Sequence, residues 1–113
     1  ARALTKRYGE TGSPQLLCLA DLELNLDSKI VTRAGQRIDL TTREYSLLEH
    51  LLLNQGRIVS RVDIAERVWE VDFDTTTNII DVYVGYLRKK IDKGFEPKLI
   101  HTVVGMGYVM REQ

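Results

Sequence analysis

Short apolar runs recur at close intervals over residues 15–40. They cover residues 16–19, 22–26, 30–32 and 38–40. Asp27-Ser28 and Ala34-Gly35-Gln36 separate the later runs, and Asp, Ser and Gly favour tight turns. The pattern predicts an antiparallel meander of four strands.

A helical period replaces this pattern after residue 40. Thr41 followed by Glu44 is the signature of a capping box, and Gly56 is a typical stop signal. Between them, a helical stripe consists of Tyr45, Leu48, Leu51 and Leu52. After a short extended piece, Ser60 followed by Asp63 starts a second predicted helix. Its inward residues are predicted to be Ala65, Val68 and Trp69.

A third helix is predicted over about residues 78–92, with Gly94 as its stop. Its buried stripe is predicted to be Ile80, Val84, Leu87 and Ile91. Residues 70–77 are polar and too few for an element, so we predict a loop before this helix. Residues 99–103 and 108–110 are apolar and β-prone, and the glycine-bearing segment between them predicts a hairpin.

The opposite face of the third helix carries groups that suit the edges of DNA bases. At 100° per residue this face collects Asn78, Val82, Gly85, Tyr86 and Lys89. The Asn78 amide can pair bidentately with adenine, and Val82 suits a thymine methyl. Gly85 costs about 1 kcal/mol in mid-helix relative to Ala, which a close approach by another backbone would explain. The competing interpretation is an ordinary solvated helix face.

Charge is segregated along the chain although its total is zero. The 16 basic residues balance 16 acidic residues, so net charge gives no argument for a nucleic-acid partner. Residues 78–98 nevertheless carry a net charge of +2, whereas residues 70–77 carry −3. Any case for nucleic acid must therefore rest on the placement of charge.

Length and composition indicate one ordinary globular domain. The chain has 113 residues and is 43% hydrophobic, and a domain of this size buries about two thirds of its unfolded surface. No apolar run approaches the roughly 20 residues of a membrane span. With Cys18 as its one cysteine and no close Cys or His pair, we expect no disulfide, no metal, no cofactor and a reducing, cytoplasmic setting. Cys18 is interpreted as a small buried hydrophobe.

No combination of residues indicates an enzyme. His50 lies in the first predicted helix and His101 in the last hairpin, neither in a motif with a nucleophile or carboxylate. We interpret both as surface or boundary residues.

Four segments in order resemble a known family. They are residues 40–48 (LTTREYSLL), residues 60–69 (SR at the start, VW at the end), residues 78–91 (NIIDV, then LRKKI) and residues 102–108 (TVVGMGY). Together they resemble the winged-helix effector domain of OmpR/PhoB-type response regulators, over about residues 17–110. Parts of residues 73–78 and 98–103 are also similar to the branch that answers heavy-metal or envelope stress.

The resemblance implies an α+β fold. The expected architecture is a winged helix-turn-helix with an N-terminal four-stranded antiparallel sheet, three helices and a C-terminal β-hairpin wing. Residues 1–14 are expected to be the end of a receiver domain and a linker, and residues 15–113 the effector domain. The turn-forming GTGSP sequence in the first segment and the lack of an initiator Met agree with this division.

The resemblance also implies that the third helix enters the DNA major groove and that the wing reaches the adjacent minor groove. The face from Asn78 to Lys89 then lies where the family reads bases. Family positions that contact phosphate or build the wing are occupied by Arg61, Trp69, Tyr83, Arg88, Thr102, Val104, Gly105 and Tyr108. For Trp69, packing in the core is an even alternative. The segment matching the family's RNA polymerase contact is Glu70, Val71, Asp72, Phe73, Asp74, Thr75, Thr76 and Thr77.

Two departures from the family pattern change these expectations. Many members carry arginines where this chain has Gly85 and Tyr86, which argues against guanine readout there. Val104 replaces the usual wing arginine, so we expect weaker minor-groove electrostatics and more dependence on the helix. With about four to six phosphate contacts, the slope of log K against log salt should be about −4 to −5.

The implied partners are double-stranded DNA with tandem half-sites about one turn apart, RNA polymerase, a phosphorylated receiver domain and a histidine kinase. The isolated domain is expected to be a monomer that pairs on DNA, with no membrane association. The alternative is a winged-helix module that docks protein and does not bind DNA. Zero net charge favours this alternative. The face of Asn78, Val82 and Lys89, with Arg88 nearby, disfavours it.

Overall fold

The computed structural model describes residues 15–69 and 77–112, and of Thr77 and Asn78 it describes the backbone. The elements in this part of the chain are β1 (Leu16–Leu19), β2 (Leu22–Asn25), β3 (Val31–Arg33), β4 (Gln36–Ile38), α1 (Thr42–Leu53), β5 (Ile58–Val59), α2 (Arg61–Ile64), α3 (Thr77–Leu87), β6 (Ile100–Val103) and β7 (Gly107–Met110). This order confirms the predicted α+β winged-helix architecture. The predicted division between residues 1–14 and the rest lies outside the described residues.

The N-terminal strands form the predicted meander. β1, β2, β3 and β4 pair in sequence order, each antiparallel to the next. Arg33 lies opposite Gln36 across a two-residue turn in which Ala34 (φ 54°) and Gly35 (φ 80°) both have positive φ. That backbone matches the twist of the two strands, which explains the tight connection.

The capping box predicted for the first helix is present. The Glu44 backbone N–H donates to Thr41 Oγ1 at 3.2 Å, and the Thr41 backbone N–H donates to Glu44 Oε1 at 3.0 Å. The backbone N–H groups of Thr41 and Glu44, which have no acceptor within the helix, are thereby both hydrogen-bonded. The inward face of α1 is at most 1% exposed at Leu47, Leu48, Leu51 and Leu52.

The second and third helices each end in a wider, π-helical turn. Ser60 caps α2 by accepting from the Asp63 backbone N–H at 3.1 Å, and a π-helical turn follows over Ala65–Trp69. α3 continues into a π-helical turn over Arg88–Asp92. The sequence predicted one regular helix through this second turn, because its apolar spacing of four, three and four fits both forms. The predicted stripe is nevertheless buried throughout.

A second sheet joins the middle of the chain to its end. β5 pairs with β7, and β7 pairs with β6, all antiparallel. β6 and β7 are the predicted hairpin wing, whereas the pairing of β5 with the wing was not predicted. Gly107 permits it, because a Cβ there would lie 2.1 Å from the Val59 carbonyl oxygen.

A buried arginine ties the N-terminal sheet to the end of α3. The Arg33 side chain is fully buried and donates to the carbonyls of Ile91 and Pro97 at 2.5 Å each. It also pairs with Asp92 at 3.2 Å and with the Asp21 carboxylate. A buried guanidinium is tolerated here because its donors are met by charged and carbonyl acceptors.

The prediction that Cys18 is buried is wrong. Cys18 is exposed, while its neighbours Leu17 and Leu19 are partly buried against the core. β1 has one face on the core, and side chains alternate between the faces of a strand. An unbroken apolar run cannot show which alternate residues point outward.

Candidate nucleic-acid interface

The two faces of α3 differ in burial as the helical wheel predicted. The buried stripe is at most 1% exposed. On the opposite face Val82 is 46% exposed and Tyr86 is 44% exposed, and Lys89 follows as an exposed residue. The side chain of Asn78 lies outside the described residues. An apolar group, a phenol and a cation are therefore presented together on one surface.

Among the described residues, nothing packs against Gly85 on this surface. A Cβ at Gly85 would meet no atom of the described residues within 4 Å. The close approach expected from a mid-helix glycine is thus not made by this part of the chain. The atoms of residues 15–69 and 79–112 leave the space beside Gly85 accessible to a binding partner.

Three aromatic rings connect the end of the second helix to this surface. The ring centroids of Trp69 and Tyr83 lie 5.4 Å apart, and those of Tyr83 and Tyr86 lie 5.3 Å apart, both edge to face. Trp69 and Tyr83 are partly buried against the core. Trp69 therefore packs against the core, which is one of its two predicted roles, and part of its side chain stays exposed beside α3.

Asp81 connects α3 to α2 and to the wing. Its Oδ1 accepts from Arg61 Nε at 2.9 Å and from the Tyr108 hydroxyl. Partial burial raises the pKa of Asp81, but the hydrogen bonds from Tyr108 and Arg61 outweigh burial and hold that pKa below its ordinary value. Burial and the Asp81 carboxylate both raise the pKa of Tyr108. Asp81 is therefore ionised and Tyr108 protonated at neutral pH.

Tyr108 has a different position from the one its family match suggested. It is 4% exposed, and its hydroxyl donates to Asp81 rather than pointing from the surface. Its ring lies 5.4 Å from the Arg61 guanidinium and 5.8 Å from the Arg88 guanidinium. Its burial therefore argues against direct phosphate contact. Its ring instead contacts the guanidinium groups of two arginines.

Arg88 is also fixed to the wing. Its Nη2 donates to Thr102 Oγ1 at 2.5 Å. Thr102 lies opposite Tyr108 in the ladder between β6 and β7. The predicted phosphate residues Arg61 and Arg88 are thus gathered around one buried ring.

The tip of the wing is apolar and fully accessible. Val104 is 91% exposed and Met106 is 59% exposed, with Gly105 between them at φ +78°. The sequence from Thr102 to Tyr108 contains no charged residue. A wing with this tip would contact a partner through apolar atoms and not through a positively charged side chain.

An open cleft of about 330 Å³ lies beside the C-terminal end of α3. It is lined by Arg88, Lys89, Asp92, Lys93, Lys98 and Ile100. Asp92 is buried and accepts from the backbone N–H groups of Leu99 and Ile100 at 3.0 Å each. Because these hydrogen bonds turn the Asp92 carboxylate into the protein, the lysines and the arginine that line the cleft make its electrostatic potential positive.

The predicted RNA polymerase segment lies outside the described residues, as Glu70, Val71, Asp72, Phe73, Asp74, Thr75 and Thr76 and the side chain of Thr77 are not described.

No sequence pattern predicted a role for Asp81 in the site. The available signal was that Asp81 is the one acid in the sequence of α3, next to Val82 on a helix predicted to face DNA. Its partners come from α2 and β7, and such contacts between distant elements have no sequence signature.

The described part of the chain contains neither a cluster of metal ligands nor a helix that could span a membrane. No group of three or more His, Cys, Asp or Glu side chains there could hold a metal ion. No described helix combines the length and hydropathy needed to cross a bilayer.

The family described as "Transcriptional regulatory protein, C terminal" matches residues 35–110. The response regulator MprA of Mycobacterium sp. (strain KMS) is 46% identical over 113 residues, covering 98% of this chain and 49% of MprA. The transcriptional regulatory protein CusR of Escherichia coli (strain K12) is 53% identical over 92 residues, covering 81% of this chain and 40% of CusR. The Klebsiella pneumoniae RstA DNA-binding domain, solved in complex with RstA box, has a TM-score of 0.79 at 26% identity and covers 88% of this chain and 99% of that domain.

The chain belongs to this family. It is a DNA-binding output domain of a two-component response regulator of the OmpR/PhoB type. The family consists of regulatory DNA-binding domains and not of enzymes. The chain spans about half the length of the curated relatives it matches.

Proposed function

We propose that the domain reads double-stranded DNA with the exposed face of α3 in the major groove. The observation that carries this proposal is the open face of Val82, Gly85 and Tyr86 on a helix whose other face is core. Val82 suits a thymine methyl, and Lys89 suits guanine or phosphate. Asn78, by its position at the start of α3, would pair with adenine. The open space at Gly85 allows the helix backbone to approach the bases closely.

The phosphate contacts in this proposal come from the residues around the helix. Arg61 and Arg88 would bind phosphates beside the major groove, with Trp69 and Tyr83 adding donors at its edge. Thr102, Val104 and Gly105 would place the wing in the minor groove. The apolar tip would then contribute contact area rather than charge.

The wider role is proposed for the protein to which this domain belongs. Phosphorylation of a receiver domain by a histidine kinase would pair two copies on tandem half-sites about one DNA turn apart, while the free domain is a monomer. Residues 70–77 would contact RNA polymerase, since their acidic character suits protein better than DNA. We place the protein in the cytoplasm and in the branch that answers heavy-metal or envelope stress.

Charge reversal on the proposed DNA face tests the interface. Arg88→Glu combined with Lys89→Glu should abolish binding to a duplex selected by the wild-type domain, because two attractive contacts become repulsive. The control is Arg37→Glu, a single charge reversal on the N-terminal sheet, where the side chain is 69% exposed. The control should bind within about twofold of wild type once salt is held constant. Undiminished binding by the double variant would contradict the proposed face.

A further inference from the structure

Asp81 is an unexpected residue on a helix proposed to enter DNA. It is the one acid in the sequence of α3, it precedes the base-reading candidate Val82, and its side chain is 43% exposed. A free carboxylate at this place would repel the phosphates on both sides of the groove.

One oxygen of this carboxylate accepts hydrogen bonds from two donors. Arg61 from α2 and Tyr108 from β7 both donate to the same oxygen, Oδ1. Three elements that are distant in sequence therefore meet at one atom. The Arg61 side chain remains 30% exposed, so its guanidinium lies at the surface while Asp81 fixes its direction.

Tyr108 extends the same arrangement to a second arginine. Its ring lies within 6 Å of both guanidinium groups, a distance at which an aromatic face attracts cations. The hydrogen bond to Asp81 holds the phenol in place, and Thr102 holds Arg88 from the wing. The orientation of Arg61 therefore depends directly on Asp81, and that of Arg88 depends on Thr102 and, through Tyr108, on Asp81.

We propose that Asp81 is a positioning residue that holds Arg61 directly, and Arg88 through Tyr108, in the orientation that meets DNA phosphates. This inference rests on the proposed DNA-binding face. Its consequence is that an acid on the recognition helix strengthens DNA binding, because ordering two flexible arginines in advance outweighs the repulsion of one paired charge.

The test is Asp81→Ala, measured as affinity for a selected duplex at several salt concentrations. We expect binding about tenfold weaker than wild type, although a negative charge has been removed. We also expect the slope of log K against log salt to become shallower by about one to two units, because up to two phosphate contacts lose their fixed donors. Asp81→Asn keeps an acceptor oxygen and should recover most of the affinity.

The charge-matched control is Glu66→Gln, which removes an exposed acid from the turn after α2. It should leave affinity unchanged or slightly higher. All variants are compared below their measured unfolding temperatures, and Asp81→Asn and Tyr108→Phe carry the test if Asp81→Ala does not fold. Tyr108→Phe should lower the affinity in the same direction, since the ring loses its tie to Asp81.

Three results would overturn the proposal. Equal or tighter binding by Asp81→Ala would mean that the carboxylate only repels DNA. Weaker binding with an unchanged salt slope would mean that Asp81 supports the fold or the bases rather than the two arginines. Asp81→Asn as weak as Asp81→Ala would show that the acceptor oxygen does not matter. Failure of the wild-type chain to select any duplex would instead contradict the proposed function itself.

Discussion

Gly85 is unfavourable for the stability of α3, and we propose that it favours DNA binding. A glycine inside a helix costs about 1 kcal/mol relative to alanine, and the described chain offers no contact that requires it. We expect Gly85→Ala to raise the free energy of unfolding by about 0.5–1 kcal/mol in a urea titration. The same variant should bind selected DNA more weakly, because its methyl group faces the bases. Tighter binding would show that the glycine has no role in close approach.

Val104 tests the apolar wing at the same scale. It replaces an arginine that the family often has, and at 91% exposure it can be changed without disturbing the core. Val104→Arg should bind DNA more tightly, and its salt slope should steepen by about one unit, because one more cation can enter the minor groove. Val104→Gln is a control of similar polarity without charge. An unchanged slope for Val104→Arg would place the wing tip away from the phosphates.

Among the elements, β3 and the end of α3 are joined by buried charge. Arg33→Ala would leave Asp92 buried without its cation, and breaking such a pair costs about 3–5 kcal/mol of unfolding free energy. The comparison is Arg37→Ala on the neighbouring strand, where an exposed ion pair should contribute less than about 1 kcal/mol. Urea unfolding of both variants measures the difference. Equal stability would mean that Arg33 is replaceable by water.

Glu44 joins α1 to the π-helical turn after α3 and makes stability depend on pH. Burial raises the pKa of Glu44, but Lys90 at 2.7 Å and the Thr41 cap outweigh burial and lower that pKa. A carboxyl whose pKa is lowered by folding contributes stability above its unfolded value, and this contribution is lost as pH falls below about 4. Glu44→Gln should therefore be less stable than wild type at pH 7, and the difference should shrink at pH 3. A constant difference across this range would contradict the assignment.

The elements themselves were largely predictable, and the contacts between them were not. Thr41 with Glu44, the stripe from Ile80 to Ile91 and the glycines of the hairpin are local patterns, so the sequence predicted the helices, the meander and the wing. In the sequence Arg33 resembles an ordinary surface cation, because most of its acceptors lie about sixty residues away. The exposed face of α3 was predictable from periodicity, whereas the dependence of its arginines on Asp81 required the fold.

At the scale of the whole molecule, basic and acidic residues are concentrated in different segments although the net charge is zero. Residues 88–98, which follow α3 and line the cleft, carry more cations than acids, while residues 70–77 are acidic. A domain with this distribution gains little from non-specific attraction to DNA, because its total field at long range is weak. Selectivity must therefore come from the contacts of α3, with a limited number of ionic contacts to the backbone.

Titration of fluorescent duplexes with the wild-type chain at two salt concentrations shows whether the domain reads DNA sequence. One duplex pool is random in sequence, and the other has been selected by the domain. We expect clear preference for the selected pool and a salt slope of about −4 to −5, which corresponds to about four to six phosphate contacts. Weak binding that is equal for both pools, and that stays equal when a phosphorylated receiver domain is joined to the chain, would contradict the proposed function.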